Sequence, residues 1–474
     1  MCIRDRARWG GPVSDMSKPI KWVLVGFFTS LSSHSTRTFQ LAPGGPGPSA
    51  AVRIHTDTST VGKLYVDTGA ARFEINTDSH FNLLNQVAMD GRDLLQPLST
   101  VEAIRYETAG GRSIVSGGTP DLTPRSTSVC IERGGDLYTV VRVAGSILGG
   151  ASQKILDFTA RYHFYAGSSG IRLDFTVENN LPVIWDGGGQ PINVHDQGGP
   201  NSVYIGSLKL ALRPVVDQLQ VLTEQGVTVS APPFPVRLYQ DSSGTATWNA
   251  YVGMVGWEGV SCTPRLQSYC TRNGFEITGP GVALSGSQAL GWMSAGDVSG
   301  PNVTVAVRDF WQNFPKVIQT DADGTLSLDL FPNGTTFNHN LRPGEEKTHT
   351  LLIHLIKGGM TATTAQNMAL AFNNPLIGTA PPSWHAQCAA LGEVPMANLN
   401  RWSEYERYVR TAFAPNPDFG PDDDPSWGNT TLHDAIERYN FYGWQDYGDV
   451  PLDYEAFGEN QAGQMNLKYW YLYG

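Results

Sequence analysis

Three short stretches of this sequence combine charged and aromatic side chains in a way that suits sugar binding or acid–base chemistry. The first lies within residues 305–332, VAVRDFWQNFPKVIQTDADGTLSLDLFP, where two alternating strands flank a polar and aromatic turn. The turn supplies Arg308, Trp311, Gln312 and Lys316 within nine residues. Because strand ends hold side chains rigidly, the turn is predicted to form the rim of a binding or catalytic site. The alternative is a bulged hairpin whose aromatic residues only cap the core.

The second stretch, residues 431–449, reads TLHDAIERYNFYGWQDYGD. His433 and Glu437 are spaced i, i+4, so a helix would present them on one face. The YGWQDYGD segment that follows is difficult to explain by packing alone, because its glycines disfavour order and its acidic residues need solvent or partners. The stretch is therefore predicted to contact substrate. Its candidate residues beside His433 are Arg438, Tyr442, Trp444 and Asp449.

The third stretch is a glycine-rich loop, residues 193–204, NVHDQGGPNSVY, in which His195 precedes Asp196. A histidine in such a loop is more often a solvated side chain than a site residue, and the neighbouring acid and the polar loop strengthen the case for the site. His349 and His354 alternate with apolar residues along one strand pattern. Those two are predicted to be satisfied strand residues without a catalytic role.

Composition limits the class of protein that must position these residues. Among 474 residues, 52 are glycine, 30 are proline and only 16% are charged, which favours a turn-rich β protein. The net charge of −11 argues against nucleic acid and anionic membranes as partners. An acidic substrate would need a local basic cluster or a bound cation. Nucleotide-binding, serine-hydrolase and zincin motifs are absent from the sequence.

Short segments that alternate apolar and polar residues run from residue 51 to about residue 375, with Asp-Gly and Gly-Gly turns between them. Such spacing over some three hundred residues predicts a large antiparallel β-sandwich. Helical periodicity begins at TTAQNMALAF and continues beyond residue 381. Ser403 and Glu406 have the spacing of a helix capping box. The opening residues, MCIRDR, fit no element and look like a remnant.

This order of elements resembles that of the exo-rhamnogalacturonan lyase-like (PcRGLX-like) family. The stretches that carry the resemblance are DMSKPIKWVLVGFF, LDFTARYHFYAGSSGIRLDFTVEN, VRDFWQNFPK and YGWQDYGD. The resemblance implies a mainly β protein in three parts: the tail of a RIFT-type β-barrel (7–50), a central β-sandwich (51–375), and the beginning of a C-terminal (α/α) toroid (381–474). Relative to the family, both ends look cut, so activity of this chain by itself is in question.

The resemblance also implies the chemistry, namely cleavage of a uronic-acid-containing, rhamnogalacturonan-like glycan by β-elimination. That reaction needs a cation against the carboxylate, a base for the neighbouring proton and an acid for the departing oxygen. The residues assigned to catalysis are Lys316, His433, Tyr442 and Arg308. Those assigned to substrate binding are Trp311, Gln312, Arg438, Trp444, Asp449 and His195.

Two alternatives stay open at this point: a glycoside hydrolase of sandwich-plus-toroid type, and a non-catalytic carbohydrate-binding surface protein. No cofactor is expected. Calcium is the one alternative, although the adjacent acids of Asp422–Asp424 lack EF-hand spacing. The expected partner is a polysaccharide or oligosaccharide, with neither nucleic acid nor membrane. The expected location is extracellular or periplasmic.

Overall fold

A computed structural model places the candidate residues in space. It describes residues 2–8, 17, 20–27, 29, 31–32, 35–40, 52–78, 81–96, 100–107, 114–115, 123–149, 154–182, 201–230, 232, 234–248, 270–333, 339–388, 396–411, 433, 436–437, 440, 442–445 and 447–448. Three of the candidates, His195, Arg438 and Asp449, lie outside these residues.

Most of the described residues are in β-strands. In chain order the strands are β1 (Cys2–Arg8), β2 (Ile20–Gly26), β3 (His55–Asp57), β4 (Lys63–Asp67), β5 (Arg72–Asn76), β6 (Gln86–Met89), β7 (Arg92–Asp93), β8 (Thr100–Glu107), β9 (Ile114–Val115), β10 (Thr123–Arg133), β11 (Tyr138–Leu148), β12 (Lys154–Tyr165), β13 (Gly170–Glu178), β14 (Val203–Leu212), β15 (Leu219–Thr223), β16 (Thr228–Val229), β17 (Arg237–Gln240), β18 (Phe275–Gly279), β19 (Val282–Gly286), β20 (Trp292–Asp297), β21 (Asn302–Val307), β22 (Lys316–Thr320), β23 (Leu326–Phe331), β24 (His339–Leu341) and β25 (Glu346–Ile356).

These strands form three antiparallel sheets and a separate hairpin of β1 and β2. Sheet I has the order β10-β11-β12-β13-β25-β21-β20-β15-β16. Sheet II has the order β19-β18-β17-β22-β23-β14-β8-β9, with β24 also paired to β14. Sheet III is the meander β3-β4-β5-β6-β7. Strands distant in the chain are therefore neighbours, as β13 and β25 show.

Strand β12, KILDFTARYHFY, illustrates why these segments become strands with one face buried. Phe158, Tyr162 and Phe164 are buried, whereas the alternate residues Asp157 and Arg161 are partly exposed. Since successive side chains of a strand point to opposite faces, the apolar set faces the core and the polar set faces outward.

The inner faces of the three sheets meet in one hydrophobic core. Sheet III packs on the β12 end of sheet I, where the ring centroids of Phe73 and Phe164 are 5.1 Å apart. The hydroxyl of Tyr162 donates to the Leu83 carbonyl at 2.6 Å across the same contact. Sheet II covers the rest of the inner face, so the arrangement is a sandwich, as the sequence predicted.

Three helices follow or cover the sheets: α1 (Ala362–Asn373), α2 (Pro382–Cys388) and α3 (Ser403–Thr411). Helix α1 begins where the Thr361 hydroxyl accepts from Thr364 N at 3.2 Å, and it lies on the outer side of β20 and β21. No helix of the described residues is long and apolar enough to cross a membrane.

Two local predictions were wrong. The Glu406 carboxylate accepts from Asn398 N at 2.8 Å instead of closing a capping box with Ser403, because the preceding turn folds back over the start of α3. The opening residues belong to an element after all, since Cys2–Arg8 pairs antiparallel with Ile20–Gly26. The mainly β class is confirmed. The RIFT-type barrel and the toroid stay predictions.

Candidate functional site

The loop between β21 and β22, residues 308–315 (the RDFWQNFP loop), is a tight turn tied to helix α1. Arg308 N donates to the Thr350 carbonyl at 2.9 Å. Asp309 has a φ of 52°, a left-handed conformation that aspartate tolerates better than most residues, and its N–H donates to Asn373 Oδ1 at 3.0 Å. Phe310 and Phe314 are fully buried. The loop is therefore anchored on both sides of its polar residues.

The second aromatic stretch, residues 442–449 (the YGWQDYGD loop), lies directly against the RDFWQNFP loop. Gly443 N donates to the Gln312 carbonyl at 2.7 Å, and Trp444 N donates to the Phe314 carbonyl at 3.0 Å. The rings of Trp311 and Tyr442 have centroids 4.9 Å apart. Two stretches about 130 residues apart in the sequence thus form one structural unit.

Polar side chains of the two loops form a continuous series at this contact. The Tyr447 hydroxyl lies near the Asp309 carboxylate and opposes the rise in its pKa that burial causes. The rings of Tyr447 and Tyr442 stack with centroids 6.2 Å apart. The Tyr442 hydroxyl in turn donates to Glu437 Oε1 at 2.5 Å. Burial, reinforced by Glu437, raises the pKa of Tyr442 above its usual 10, so this phenol keeps its proton at neutral pH.

The segment before the YGWQDYGD loop is fastened to sheet II through residues that the sequence analysis did not single out. Asn440, buried and with a φ of 49°, accepts hydrogen bonds from the Ser243 and Thr245 hydroxyls. The Thr247 hydroxyl donates to the Glu437 carbonyl at 2.5 Å. These contacts position Glu437 under Tyr442. A run of serine and threonine has no distinctive sequence signal, which explains why it was missed.

Lys316 occupies a place that the sequence did not predict. It was assigned to catalysis at the rim of a site, but its side chain is fully buried in the core. Its Nζ donates to the Pro315 carbonyl at 3.2 Å and lies 5.6 Å from the centroid of Phe331. Burial, and secondly the charge of Lys347, lowers the pKa of Lys316 well below 10.5. The amine is consequently poorly able to hold a charge.

His339, His349 and Trp444 surround the same Phe331 ring, with centroid distances of 5.0, 5.4 and 4.9 Å. Burial lowers the pKa of His339 to about 3 and that of His349 well below 6.5, so both imidazoles are neutral. His349 Nε2 and Trp444 Nε1 have no hydrogen-bond partner in the described part of the chain. The prediction of a satisfied His349 was wrong in this respect, as was that of His354, whose Nδ1 has none either. Lys316 and these three side chains are called the inner cluster below.

The remaining candidate residues, Arg308, Gln312 and His433, lie in different parts of the structure. Arg308 lies on the outer side of sheet I, where Nη2 donates to the Phe372 carbonyl at 2.8 Å. It is therefore separated from Lys316, the other expected cation. Gln312 is partly buried, and its Oε1 has no partner among the described residues. His433 is exposed. The structure thus gathers Trp311, Gln312, Tyr442 and Trp444 at the loop contact, with Lys316 behind them and the Arg308 side chain on the outer side of sheet I.

Residues 54–188 match the family model of the PcRGLX-like protein central beta sandwich domain. This match confirms the resemblance to the family over these residues. No curated protein matches the chain. The family match supports a carbohydrate-active protein and leaves the reaction open.

Several solved structures resemble the chain loosely. They include a galactose mutarotase-related enzyme from Lactobacillus acidophilus, 10% identical, with a TM-score of 0.33 over 63% of this chain and 99% of that one. An α-galactosidase from Lactobacillus brevis is 9% identical, with a TM-score of 0.34 over 68% of this chain and 42% of that one. Another α-galactosidase, from Geobacillus stearothermophilus, is 10% identical, with a TM-score of 0.34 over 65% and 41%. Likenesses this loose determine neither the fold nor the function of this chain.

Proposed function

We propose that this protein is a polysaccharide lyase that cleaves a uronic-acid-containing, rhamnogalacturonan-like glycan by β-elimination. The observation that carries the proposal is the contact between the RDFWQNFP and YGWQDYGD loops. It brings a guanidinium, two tyrosines and two carboxylates into one series, from Arg308 through Asp309 and Tyr447 to Tyr442 and Glu437. The family match supports the same class of substrate.

In β-elimination a base removes the proton next to the uronate carboxyl, the electron pair forms a carbon–carbon double bond, and the glycosidic carbon–oxygen bond breaks. We assign Arg308 to the carboxylate, because a cation there makes the neighbouring proton acidic. Tyr442 is assigned as the acid for the departing oxygen, because it keeps its proton at neutral pH. His433, exposed at the same segment, is assigned as the base.

Trp311 and Trp444 are proposed as the aromatic surfaces near the sugar, with Gln312 as a polar contact. Lys316 is the least accessible of the proposed residues, since it lies in the core behind Trp444. It can act on a substrate only if the two loops separate. Arg438, Asp449 and His195 stay in the proposal on sequence grounds alone. A polymer of this kind lies outside the cell, so we propose an extracellular or periplasmic location.

The test is incubation of the protein with rhamnogalacturonan and with algal uronate polymers. A lyase yields an unsaturated uronate that absorbs in the ultraviolet, whereas a hydrolase yields new reducing ends without that absorbance. A binding protein yields neither. The absence of an ultraviolet-absorbing product from every uronate polymer would overturn the proposal. Repeating the assay with a chelator tests the expectation that no calcium is required.

The assigned residues are tested by Tyr442→Phe, His433→Ala and Lys316→Ala. Loss of the phenol or of the base is expected to lower kcat by roughly 100-fold or more. Tyr405→Phe is the matched control, because Tyr405 is half exposed on α3 and belongs to neither loop. Full activity in all three variants would show that the assignment is wrong.

A further inference from the structure

A basic site lies on the outer face of sheet I and shares Arg308 with the RDFWQNFP loop, although the whole chain has a net charge of −11. Its acidic members are Glu132, Asp174 and Asp309, while the acidic residues at the opposite ends of the same strands (Asp157, Glu178 and Glu346) lie apart from it. Its basic members are Arg133, Arg142, Arg161, Arg172 and Arg308. We call this set the arginine cluster. It provides the local positive charge that an acidic substrate of this protein requires.

Strand pairing explains why these residues meet. Asp174 on β13 pairs with Arg161 on β12 and with Thr350 on β25. Arg161 pairs in turn with Arg142 on β11. The backbone of Arg308 donates to Thr350, which adds Arg308 to the end of this row. Side chains directly opposite each other on one face of a sheet are neighbours.

Asp174 is the centre of the site. Its carboxylate accepts from Arg172 Nε at 3.0 Å, Arg172 Nη2 at 2.6 Å and the Thr350 hydroxyl at 2.8 Å. His163 Nε2 is 3.0 Å from Asp174 Oδ2. Although burial alone would raise it, these hydrogen bonds lower the pKa of Asp174 far below 3.8. Asp174 is thus ionised, and both of its oxygens are occupied by hydrogen bonds. It orients Arg172 and His163.

A tyrosine completes a chain of hydrogen bonds through the histidine. Because an ionised carboxylate only accepts, His163 Nε2 carries a proton toward Asp174, and in that tautomer Nδ1 is an acceptor. The Tyr138 hydroxyl, 2.5 Å from Nδ1, is therefore the donor. The Tyr138 ring stacks on Tyr165 with centroids 5.3 Å apart. Both rings are partly exposed, so they form a fixed aromatic surface beside the arginines.

Two guanidinium groups of the cluster keep donors for a ligand. Arg172 uses Nε and Nη2 for Asp174, and its side chain is 37% exposed. Arg308 stacks on Phe372, its guanidinium carbon 4.6 Å from the ring centroid, and it forms no ion pair with a carboxylate of the described residues. Burial, and then the charge of Arg172, lowers the pKa of Arg308, and the Asp309 and Asp174 carboxylates act in the opposite direction. Since Asp174 pairs with Thr350, whose carbonyl accepts from Arg308 N, both arginines lie beside Asp174.

We propose that the arginine cluster is a subsite for the carboxylate of a uronic-acid residue, contacted by Arg172 and Arg308, with the sugar beside Tyr138 and Tyr165. The subsite rests on the proposed lyase function and identifies the groups that would bind the substrate. Paired planar guanidinium groups suit a carboxylate, and tyrosine rings suit a sugar face. His163 and Asp174 act as positioning residues that hold Tyr138 and Arg172.

The test compares two matched ligands, galacturonate and galactose, which differ at the carboxylate and contain no glycosidic bond to cleave. Binding is measured by NMR titration of the protein at low ionic strength. Galacturonate is expected to bind more tightly than galactose, and Arg172→Gln is expected to weaken it by roughly tenfold or more. Arg342→Gln is the matched control, because Arg342 lies outside the arginine cluster and pairs with Glu345 at 2.6 Å.

Arg308→Gln breaks no ion pair of the described residues, so it decides the question if Arg172→Gln fails to fold. Equal binding of the two sugars, unchanged binding in the Arg308 and Arg172 variants, or equally tight binding of inorganic sulfate would overturn the subsite. Binding of galacturonate by a protein that forms no ultraviolet-absorbing product would overturn the lyase and support the subsite. An active lyase whose KM is unchanged in Arg172→Gln would overturn the subsite and support the lyase.

Discussion

The inner cluster and the arginine cluster contain similar side chains in opposite electrostatic states. Lys316 and two histidines lie in the core, and burial lowers the pKa of each of them. On the outer face, Asp174 accepts from a guanidinium and approaches a histidine, and those contacts keep it ionised. Burial without a counter-charge favours the neutral form of a base. A carboxylate whose oxygens accept several hydrogen bonds instead stays ionised. The inner cluster therefore packs as part of the core, with its amine neutral. The arginine cluster keeps charged groups that suit an anionic ligand.

The largest expected effect that separates the clusters is on stability. Phe331→Ala removes the ring at the centre of the inner cluster, where it is fully buried, and is expected to lower the free energy of unfolding by about 3–5 kcal/mol. Tyr165→Ala at the arginine cluster is expected to lower it by less than about 2 kcal/mol, because Tyr165 is partly exposed. Urea unfolding measures both. Equal losses would contradict the contrast between a packed cluster and an open one.

Lys316→Met is expected to stabilise the protein by about 1–3 kcal/mol at neutral pH, since it replaces a buried amine that has one hydrogen bond. The unfolded chain takes up a proton on Lys316 below pH 10.5, but the folded chain does so only below its lowered pKa. The wild type therefore loses stability as pH falls through that window, and the variant does not. Unfolding midpoints between pH 6 and 10 test this. A gain in stability with a loss of lyase activity would identify Lys316 as functional.

Asp174→Asn tests the outer face through acid stability. The folded-state pKa of Asp174 lies far below 3.8, so its ionised form contributes stability that is present above the unfolded pKa and is lost as pH falls toward the folded value. The variant is expected to be less stable at pH 7 and to show a shallower loss of stability below pH 4. Thermal unfolding from pH 2 to 7 measures the difference. Parallel curves for the variant and the wild type would contradict the assigned network.

The smallest effect is expected for Arg161→Gln. Its guanidinium is 40% exposed and pairs with a Glu132 side chain that is 39% exposed, and such pairs contribute about 0–1 kcal/mol. Thermal unfolding of this variant should match the wild type to within about 0.5 kcal/mol at moderate salt. A larger loss would mean that the arginine row is a stabilising network rather than a ligand site.

Much of the architecture followed from local patterns. The alternation of apolar and polar residues in β12 predicted a half-buried strand, and the structure confirms it because side chains of a strand must alternate between faces. The stretch TTAQNMALAF predicted a helix, which is α1. The family resemblance rested partly on the sequence of β12 and β13, which lies within the matched residues 54–188.

The site was only partly predictable. The RDFWQNFP and YGWQDYGD loops stood out because their polar and aromatic composition does not suit a simple turn, and they do lie in contact. The burial of Lys316 did not follow from the sequence. The strand KVIQT does not alternate apolar and polar residues, so its pattern does not tell which side chains face the core, and in the structure Lys316, Val317 and Ile318 are all buried. His163 and Asp174 looked like ordinary outward-facing residues of two strands.

The sequence by itself determined the periodicity of each strand and helix, and hence the mainly β class, because periodicity is a property of neighbouring residues. It also determined the overall acidity, and with it the need for a local basic cluster if the ligand is an anion. Only the tertiary structure decided where that cluster lies. Tyr138, His163, Asp174 and Arg308 come from four separate segments, and strand order and register, which depend on the whole core, bring them to one face.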